Sequence, residues 1–302
     1  MCFVRCSKGN IDWILFCMQV ITSLLQIAKE ADVFFIDVYG VLWSGEEFYP
    51  SALEVCEKLI SVGKRIYVLS NATTISSHFK EKRAKDGFIQ GIHYTDVITS
   101  GDVLKNKLET QNFLNEVIGN ENGKYLLIGL PNDRLLESVL NRQTLDADKA
   151  QAIYIGALRG HNIYYTDLSP YLNIAQKALE KGLPAICSNP DYFAFHGNLK
   201  HVTSGFLGKW YEENGGKVYW IGKPYSEIYQ YALRKANVEP AKAVMVGDTL
   251  RTDILGGHNA GMKTVLITGT GMTADDLISG VSIEQLFLEN QVIPDYLIDR
   301  LK

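Results

Sequence analysis

The chain has 302 residues, of which 46% are hydrophobic and 21% are charged, and its formal net charge is −4. This composition is typical of a globular protein with one large or two ordinary domains. The slight negative charge and the lack of a long basic run exclude the electrostatic footprint of a nucleic-acid-binding protein. The five cysteines are scattered and odd in number, which favours free thiols in a reducing cytoplasm.

The N-terminal segment combines two basic residues with an interrupted apolar stretch. Arg5 and Lys8 precede the apolar residues 13–18, as in a signal peptide, but polar residues break the run and no clear cleavage site follows. Apolar residues recur at helical spacing, namely Ile14, Met18, Ile21, Leu25 and Ala28. We therefore predict an amphipathic N-terminal helix packed on the core, and neither a signal peptide nor a membrane span.

An apolar run at residues 33–36 ends in Asp37, and Gly40 follows three residues later. Such a run is typical of a strand that is buried on both faces, as in a parallel sheet. Open α/β sheets bind their ligands at the carboxyl ends of strands, so Asp37 is predicted at the mouth of a crevice. On its own, the stretch is equally compatible with a solvated aspartate before a turn.

Strands and helices alternate along the rest of the chain. Strands are predicted at about residues 64–69, 97–99, 124–128, 152–157, 184–187, 217–221, 243–246 and 263–267, with helices between them, including one at 133–140. The order of these elements predicts an α/β fold with a right-handed, doubly wound parallel sheet. The pattern alone leaves open whether the stretch from about 101 to 187 continues this sheet or forms an inserted domain.

Polar side chains follow four of the predicted strands. They are Asp37, Ser70 with Asn71, Lys223, and Asp248 with Asp253. In a doubly wound sheet such strand ends converge on one edge. Carboxylates are the hard oxygen ligands that Mg²⁺ prefers, and the cation and a lysine together would offset the negative charge of a phosphoryl group. A carboxylate could then attack phosphorus in line and form an aspartyl phosphate.

Four segments resemble the ordered motifs of the haloacid dehalogenase (HAD) superfamily. They are Asp37-x-Tyr39-Gly40-Val41-Leu42, Ser70-Asn71, Gly222-Lys223-Pro224 and Gly247-Asp248-x-x-x-x-Asp253. The run from Gly247 to Ile254 and the segment Ser188-Asn189-Pro190-Asp191 are similar to the NagD-like, class IIA branch. The resemblance extends from about residue 33 to 269. Each motif alone is weak, but four of them in this order and spacing are a specific signal.

The resemblance implies roles for individual residues. Asp37 is the expected nucleophile, Tyr39, Ser70 and Lys223 are expected to act with it in catalysis, and Lys223 would pair with both the nucleophile and the phosphate. The expected magnesium ligands are Asp37, the backbone carbonyl of Tyr39, Asp248 and Asp253. The expected substrate-binding residues in the core are Ser70, Asn71, Asn189 and Lys223.

The resemblance also implies a Rossmann-like core with an inserted α/β cap. On this basis we predict a first core segment at residues 1–98, the cap at 99–188 and a second core segment at 189–302. Caps of this type shape substrate choice, so Arg159 and His161 are candidate specificity residues. A solvated turn is the alternative for this loop.

Tyr39 departs from the family pattern, in which a second aspartate follows the nucleophile by two residues as general acid and base. A tyrosine hydroxyl could donate a proton to a leaving group but is a poor base at neutral pH. The departure suggests either slow hydrolysis of the phosphoenzyme or a substitute base from elsewhere in the chain.

The sequence therefore predicts a cytoplasmic, magnesium-dependent phosphatase for a small phosphorylated metabolite, such as a sugar phosphate or a nucleotide. One alternative is a metal-free 2-haloacid dehalogenase, in which Asp37 attacks carbon. The other is a protein that binds a phosphorylated ligand with little turnover, which the loss of the second aspartate would suit. Neither the substrate nor the oligomeric state follows from the sequence, and a homo-oligomer stays open.

Overall fold

The computed structural model describes residues 18–110, 112–130, 139–158 and 168–302. The strands are β1 (Gln19–Val20), β2 (Val33–Ile36), β3 (Arg65–Ser70), β4 (Asp96–Thr99), β5 (Lys124–Ile128), β6 (Gln143–Thr144), β7 (Ala150–Ile155), β8 (Ala185–Cys187), β9 (Phe193–His196), β10 (Leu199–Val202), β11 (Val218–Trp220), β12 (Ala243–Gly247), β13 (Lys263–Ile267) and β14 (Tyr296–Ile298). The α-helices are α1 (Pro50–Ser61), α2 (Ser76–Ala84), α3 (Ser100–Thr110), α4 (Phe113–Ile118), α5 (Ser169–Glu180), α6 (Ser204–Glu213), α7 (Ser226–Ala236), α8 (Leu255–Asn259), α9 (Gly271–Ile278) and α10 (Ile283–Asn290).

The core sheet has seven parallel strands in the order β1-β14-β13-β12-β2-β3-β4. Side chains of β2 alternate between its two faces, with Phe34 packed among the residues of α1 and Phe35 among those of α3 and α7. Helices on both faces explain why β2 is apolar at every position, because neither face meets water. The predicted doubly wound α/β sheet is confirmed.

A second sheet of five parallel strands has the order β11-β8-β7-β5-β6. Helices α5 and α6 cover one face through residues such as Ala175 and Leu207. On the other face, Tyr125 and Tyr154 join a buried cluster that also contains Phe35 of the core sheet. The stretch that the sequence pattern left ambiguous therefore forms its own sheet, packed against the core through shared apolar side chains.

The strand pairing does not follow the predicted limits of the cap at 98 and 188. Helix α3 packs on the core sheet, and β11 at residues 218–220 pairs with β8 in the second sheet. We therefore place the inserted unit at about residues 112–221. The limit at 188 was too early because the pattern shows a strand at 217–221 but not which sheet it joins.

The prediction of a continuous N-terminal helix is wrong over its described part, residues 18–28. Gln19 and Val20 form β1, which pairs with β14 near the other end of the chain, and Leu24–Ile27 make one 3₁₀ turn. Buried positions at 21, 24 and 27 follow the three-residue repeat of that turn. Local periodicity could not reveal a partner strand almost 280 residues away. Residues 1–17 and most of the predicted helix at 133–140 lie outside the described ranges.

Across the described ranges, no helix is both long and apolar enough to span a bilayer.

Candidate active site

Lys223 joins two of the predicted carboxylates at the carboxyl edge of the core sheet. Its Nζ donates to Oδ1 of Asp37 at 2.6 Å and to Oδ1 of Asp253 at 2.7 Å, and its side chain is only 1% exposed. Burial alone would lower the pKa of Lys223, but Asp253 and Asp37 outweigh burial and raise this pKa well above its ordinary value. The lysine is therefore a fixed positive charge beside the predicted nucleophile.

Asp248 completes a cluster of three carboxylates. One oxygen each of Asp37, Asp248 and Asp253 lies within 4.8 Å of the others, and the last two residues are buried. Burial, with the neighbouring carboxylates, raises the pKa of Asp248 well above its usual range, and burial is the main cause that raises the pKa of Asp253 to about 7. One lysine does not neutralise three carboxylates, so this donor set fits a hard divalent cation such as Mg²⁺.

Asp253 is held in the cluster by a widened helical turn. Residues Leu250–Ile254 form a π turn, in which the amide of Leu255 donates to the carbonyl of Leu250 five residues earlier. The amide of Thr249 donates to Oδ2 of Asp253 at 3.2 Å. With Oδ1 bonded to Lys223, both carboxylate oxygens of Asp253 have protein partners. This arrangement favours Asp253 as a ligand through water rather than a direct one.

Asp248 rests against the start of α9. The amide of Met272 donates to its Oδ2 at 2.5 Å, and the hydroxyl of Thr273 donates to its carbonyl at 2.6 Å. Gly271 and Gly40, both at positive φ, approach so closely that a Cβ on either would collide with the Asp248 carboxylate. Sequence reasoning missed this role of the two glycines.

Ser70 and Asn71 end β3 beside Lys223. Ser70 is buried, and its Oγ accepts from the amide of Ala72 at 3.2 Å. Asn71 accepts from the amide of Lys223 at 2.6 Å, and its Nδ2 donates to the carbonyl of Lys223 at 3.1 Å and to Oδ1 of Asp191 at 2.9 Å. The Asn71 side chain therefore positions the lysine. A direct contact of Asn71 with substrate stays a prediction.

The segment that contains Asn189 returns from the second sheet to the core. Oδ1 of Asn189 accepts from the amide of Asp191 at 3.0 Å, and Arg251 donates to the carbonyl of Pro190 at 2.7 Å. The Arg251 guanidinium also lies 3.7 Å from the centre of the Tyr192 ring. Asp191 had no predicted role, although it stands in the quoted Ser-Asn-Pro-Asp segment. Burial is the main cause that raises its pKa, and the charge of Asp37 adds to the effect.

A cavity of about 400 Å³ opens at this cluster. Its lining includes the predicted site residues Asp37, Tyr39, Ser70, Asn71, Asn189 and Asp248. Helix α2 contributes His78, Lys82 and Arg83, and the β9–β10 hairpin contributes Phe193 and Phe195. The predicted specificity residues Arg159 and His161 lie outside the described residues, and the role of the Tyr39 carbonyl stays a prediction.

The β9–β10 hairpin spans the site from the loop after Asp37 to α9. The amide of Gly197 donates to the carbonyl of Ser44 at 3.0 Å, and Lys200 pairs with Asp275 of α9 at 2.7 Å. Gly45 lies so close to the hairpin backbone that a Cβ would collide with it. Sequence reasoning missed this hairpin, although the two-residue link Gly197-Asn198 between two short runs is a turn signal.

Comparison with known proteins agrees with this geometry. The model of the family described as haloacid dehalogenase-like hydrolase matches residues 34–139, and a HAD-hydrolase-like model matches residues 220–302. The chain belongs to the haloacid dehalogenase superfamily of hydrolases. The two matched ranges contain the four sequence motifs described above.

The relatives place the chain in the NagD-like, class IIA branch of the HAD superfamily. The chain is 25% identical to the ribonucleotide monophosphatase NagD of Escherichia coli over 248 residues, which are 80% of this chain and 90% of NagD. It is 24% identical to the chloroplastic phosphoglycolate phosphatase 1A of Arabidopsis thaliana over an alignment of 315 positions, gaps included, which covers 99% of this chain and 83% of the relative. A haloacid dehalogenase-like hydrolase of Brucella suis shares the fold, with a TM-score of 0.79, 22% identity and coverage of 94% and 100% of the two chains.

The raised carboxyl pKa values predict how the stability of the metal-free protein depends on pH. Asp253 has a pKa of about 7 in the folded chain and about 4 when unfolded. Between these values the folded state binds more protons, so Asp253 alone should lower the free energy of unfolding by up to about 1.4 kcal/mol per pH unit as the pH rises, and Asp248 adds to this slope. Thermal unfolding in EDTA from pH 5 to 8 measures this slope, and Mg²⁺ should reduce it.

Asp253→Asn should reduce the slope in EDTA and leave the part that Asp248 contributes, whereas Asp148→Asn, at an exposed aspartate outside the cluster, should leave the slope unchanged. Equal slopes for the wild type and Asp253→Asn would show that this carboxylate is not the source of the pH dependence.

Asn71→Ala tests the positioning role of this side chain. The change leaves the buried amide and carbonyl of Lys223 without these partners, and such unmet groups cost about 1–3 kcal/mol each. We expect a loss of about 2–4 kcal/mol in the free energy of unfolding, measured by urea denaturation. Asn214→Ala, which removes one exposed side-chain hydrogen bond, should cost less than about 0.5 kcal/mol. Similar midpoints for the two variants would contradict the assignment.

Proposed function

We propose that this HAD hydrolase is a magnesium-dependent phosphatase that acts through an aspartyl-phosphate intermediate on Asp37. The observation that carries the proposal is the buried Lys223, which bridges Asp37 and Asp253 beside Asp248. A nucleophilic carboxylate and a phosphoryl dianion repel each other unless cations lie between them. Lys223 supplies one such charge, and the carboxylate cluster fits a second.

The chain's own residues account for the first chemical step. Oδ1 of Asp37 accepts from Lys223, and within the described residues no hydrogen-bond donor occupies Oδ2. We assign Oδ2 to the in-line attack on phosphorus. The phosphorus–ester oxygen bond breaks, the leaving oxygen takes a proton from water or from the hydroxyl of Tyr39 and departs as the alcohol, and the phosphoryl group stays on Asp37. Ser70 and Lys223 would hold the phosphoryl oxygens, and water then releases phosphate and restores the carboxylate.

The metal ligands would be Asp37, the backbone carbonyl of Tyr39 and Asp248, with Asp253 acting through water. When bound, Mg²⁺ would supply Lewis-acid stabilisation of charge on the phosphoryl oxygens. The close approach of Gly40 and Gly271 to Asp248 fixes the carboxylate independently of the ion. The site is thereby preorganised for a cation, which is what electrostatic catalysis requires.

The two alternatives differ from this proposal in testable ways. A metal-free dehalogenase would have to keep two buried acids beside its nucleophile, where their charge would oppose attack. A phospho-ligand-binding protein is favoured by one observation, since Tyr39 lines the cavity where the family places its second aspartate. A sugar phosphate or nucleotide as substrate and a cytoplasmic location stay part of the proposal, and the oligomeric state stays open.

Asp37→Asn tests the nucleophile directly. We expect phosphate release from a panel of phosphate esters to fall by more than about 10³-fold in this variant, because an amide oxygen is a far weaker nucleophile.

Removal of Mg²⁺ with EDTA should also abolish phosphate release by the wild type, while Asp148→Asn should match the wild type. Halide release from a 2-haloacid in EDTA, without phosphate release in Mg²⁺, would instead establish the dehalogenase. Phosphate trapped on Asp37 without turnover would favour the binding protein.

Tyr39→Asp tests the missing general base. If hydrolysis of the phosphoenzyme limits turnover, a carboxylate at this position should raise kcat for a generic phosphate ester by about 10² or more. The wild type should also show a burst of alcohol release before the steady state. Tyr39→Asn, which is similar in size to aspartate but has no acid, is the matched control. A kcat for Tyr39→Asp that equals or falls below that of the wild type would refute the idea.

A further inference from the structure

The wall of the cavity that α2 forms is cationic. Four of its residues line the cavity, namely His78, Lys82 and Arg83, which carry nitrogen donors, and the apolar Phe79. Among the described lining residues the acids are Asp37, Asp191 and Asp248, and all three belong to or adjoin the proposed reaction centre. The chain as a whole has a net charge of −4, so the positive charge of this wall is a local feature and not a result of an overall basic composition.

The cations on α2 differ in how far they are engaged with the protein. The Arg83 guanidinium lies 4.2 Å from the centre of the Trp43 ring, pairs with Asp86 at 2.9 Å and is largely buried. Lys80, outside the cavity, pairs with Asp96. By contrast, Lys82 lines the cavity and makes no ion pair with any residue that the structure describes. Among the described residues, therefore, no carboxylate competes with a ligand for the charge of Lys82.

Lys82 and His78 lie on the same face of α2. They are four residues apart, and side chains at this spacing neighbour each other on a helix surface. Two nitrogen donors on one face can hold the two oxygens of a carboxylate or of a phosphate. A neutral hydroxyl or sugar ring would not need a cation at this position.

The β9–β10 hairpin adds aromatic side chains to the lining of the cavity, and the space is small. Phe193 and Phe195 come from the β9–β10 hairpin, and the volume of about 400 Å³ is at the lower end of small-molecule sites. The body of the ligand between its two ends is therefore short and carries few polar groups.

We propose that the substrate is a small phosphate ester with a second anionic group, a carboxylate or a further phosphate, which Lys82 and His78 bind. The inference rests on the phosphatase function proposed above and narrows its substrate class. Lys82 is a specificity residue in this view, because it contacts the far end of the ligand and not the reacting phosphorus.

Two matched pairs of esters test the proposal. Phosphoglycolate is compared with 2-hydroxyethyl phosphate, and 1,3-propanediol bisphosphate with 3-hydroxypropyl phosphate, so that each pair differs by one anion. Binding to Asp37→Asn with Mg²⁺ is measured by calorimetry, because this variant retains the cavity without turnover. In at least one pair, we expect the ester with the second anionic group to bind about fivefold more tightly, or more, than its neutral-ended partner. The pair that shows this difference in Kd identifies carboxylate or phosphate as the second group.

Lys82→Gln, in the Asp37→Asn background, should reduce that ratio about fivefold, and Lys82→Arg should restore most of it. Lys85→Gln is the matched control, since Lys85 ends the same helix but does not line the cavity. Raising the salt concentration should also lower the ratio. Equal binding within both pairs would overturn the proposal, as would equal effects of Lys82→Gln and Lys85→Gln.

The binding assay separates this inference from the proposed activity. Discrimination within a pair by Asp37→Asn, without phosphate release by the wild type, would reject the phosphatase and support the anion site. Turnover of the neutral esters at the same kcat/KM as their anionic partners, with equal binding, would support the phosphatase and reject the anion site.

Discussion

The buried contact of Lys223 with Asp37 and Asp253 is the constraint on which the arrangement of the site depends. A buried ammonium is stable only when carboxylates compensate its charge, and removal of either partner leaves a charge that water cannot reach. The segments that carry the three residues are therefore fixed relative to one another. Asn71 extends this constraint, because it bonds to both backbone polar groups of Lys223 and to Asp191.

The fold supplies the framework for this contact. Parallel strands β2, β3 and β12 are neighbours in the core sheet and end at the same edge, which brings Asp37, Ser70 and Asp248 together. The inserted unit leaves the core after α3 and returns through β11, immediately before Lys223. One end of the insertion thus leads directly into the reaction centre. The inserted unit and the catalytic lysine are therefore joined by only a few residues of backbone.

The sequence predicted those parts of the site that depend on strand ends. Asp37, Ser70 and Asp248 follow apolar runs, and such runs identify parallel strands with converging ends. The parts that were missed depend on pairing between distant segments. The cradle that Gly271 forms for Asp248 and the edge strand β1 have their partners far away in the chain, and local periodicity holds no information on such partners. The β9–β10 hairpin is different, because its two strands are neighbours in the chain and the link between them is a recognisable turn signal.

The π turn at residues 250–254 has a consequence for how this loop tolerates change. A π turn, closed by a bond between residues five apart, carries one residue more than an ordinary helical turn, and Asp253 lies within this turn and within 4.8 Å of Asp248. Deleting a single residue here would restore the common α-helical repeat and swing the carboxylate roughly 100° around the axis. The number of residues in this turn is therefore as strict a requirement as the identity of Asp253. Substitutions should be tolerated here, but insertions and deletions should not.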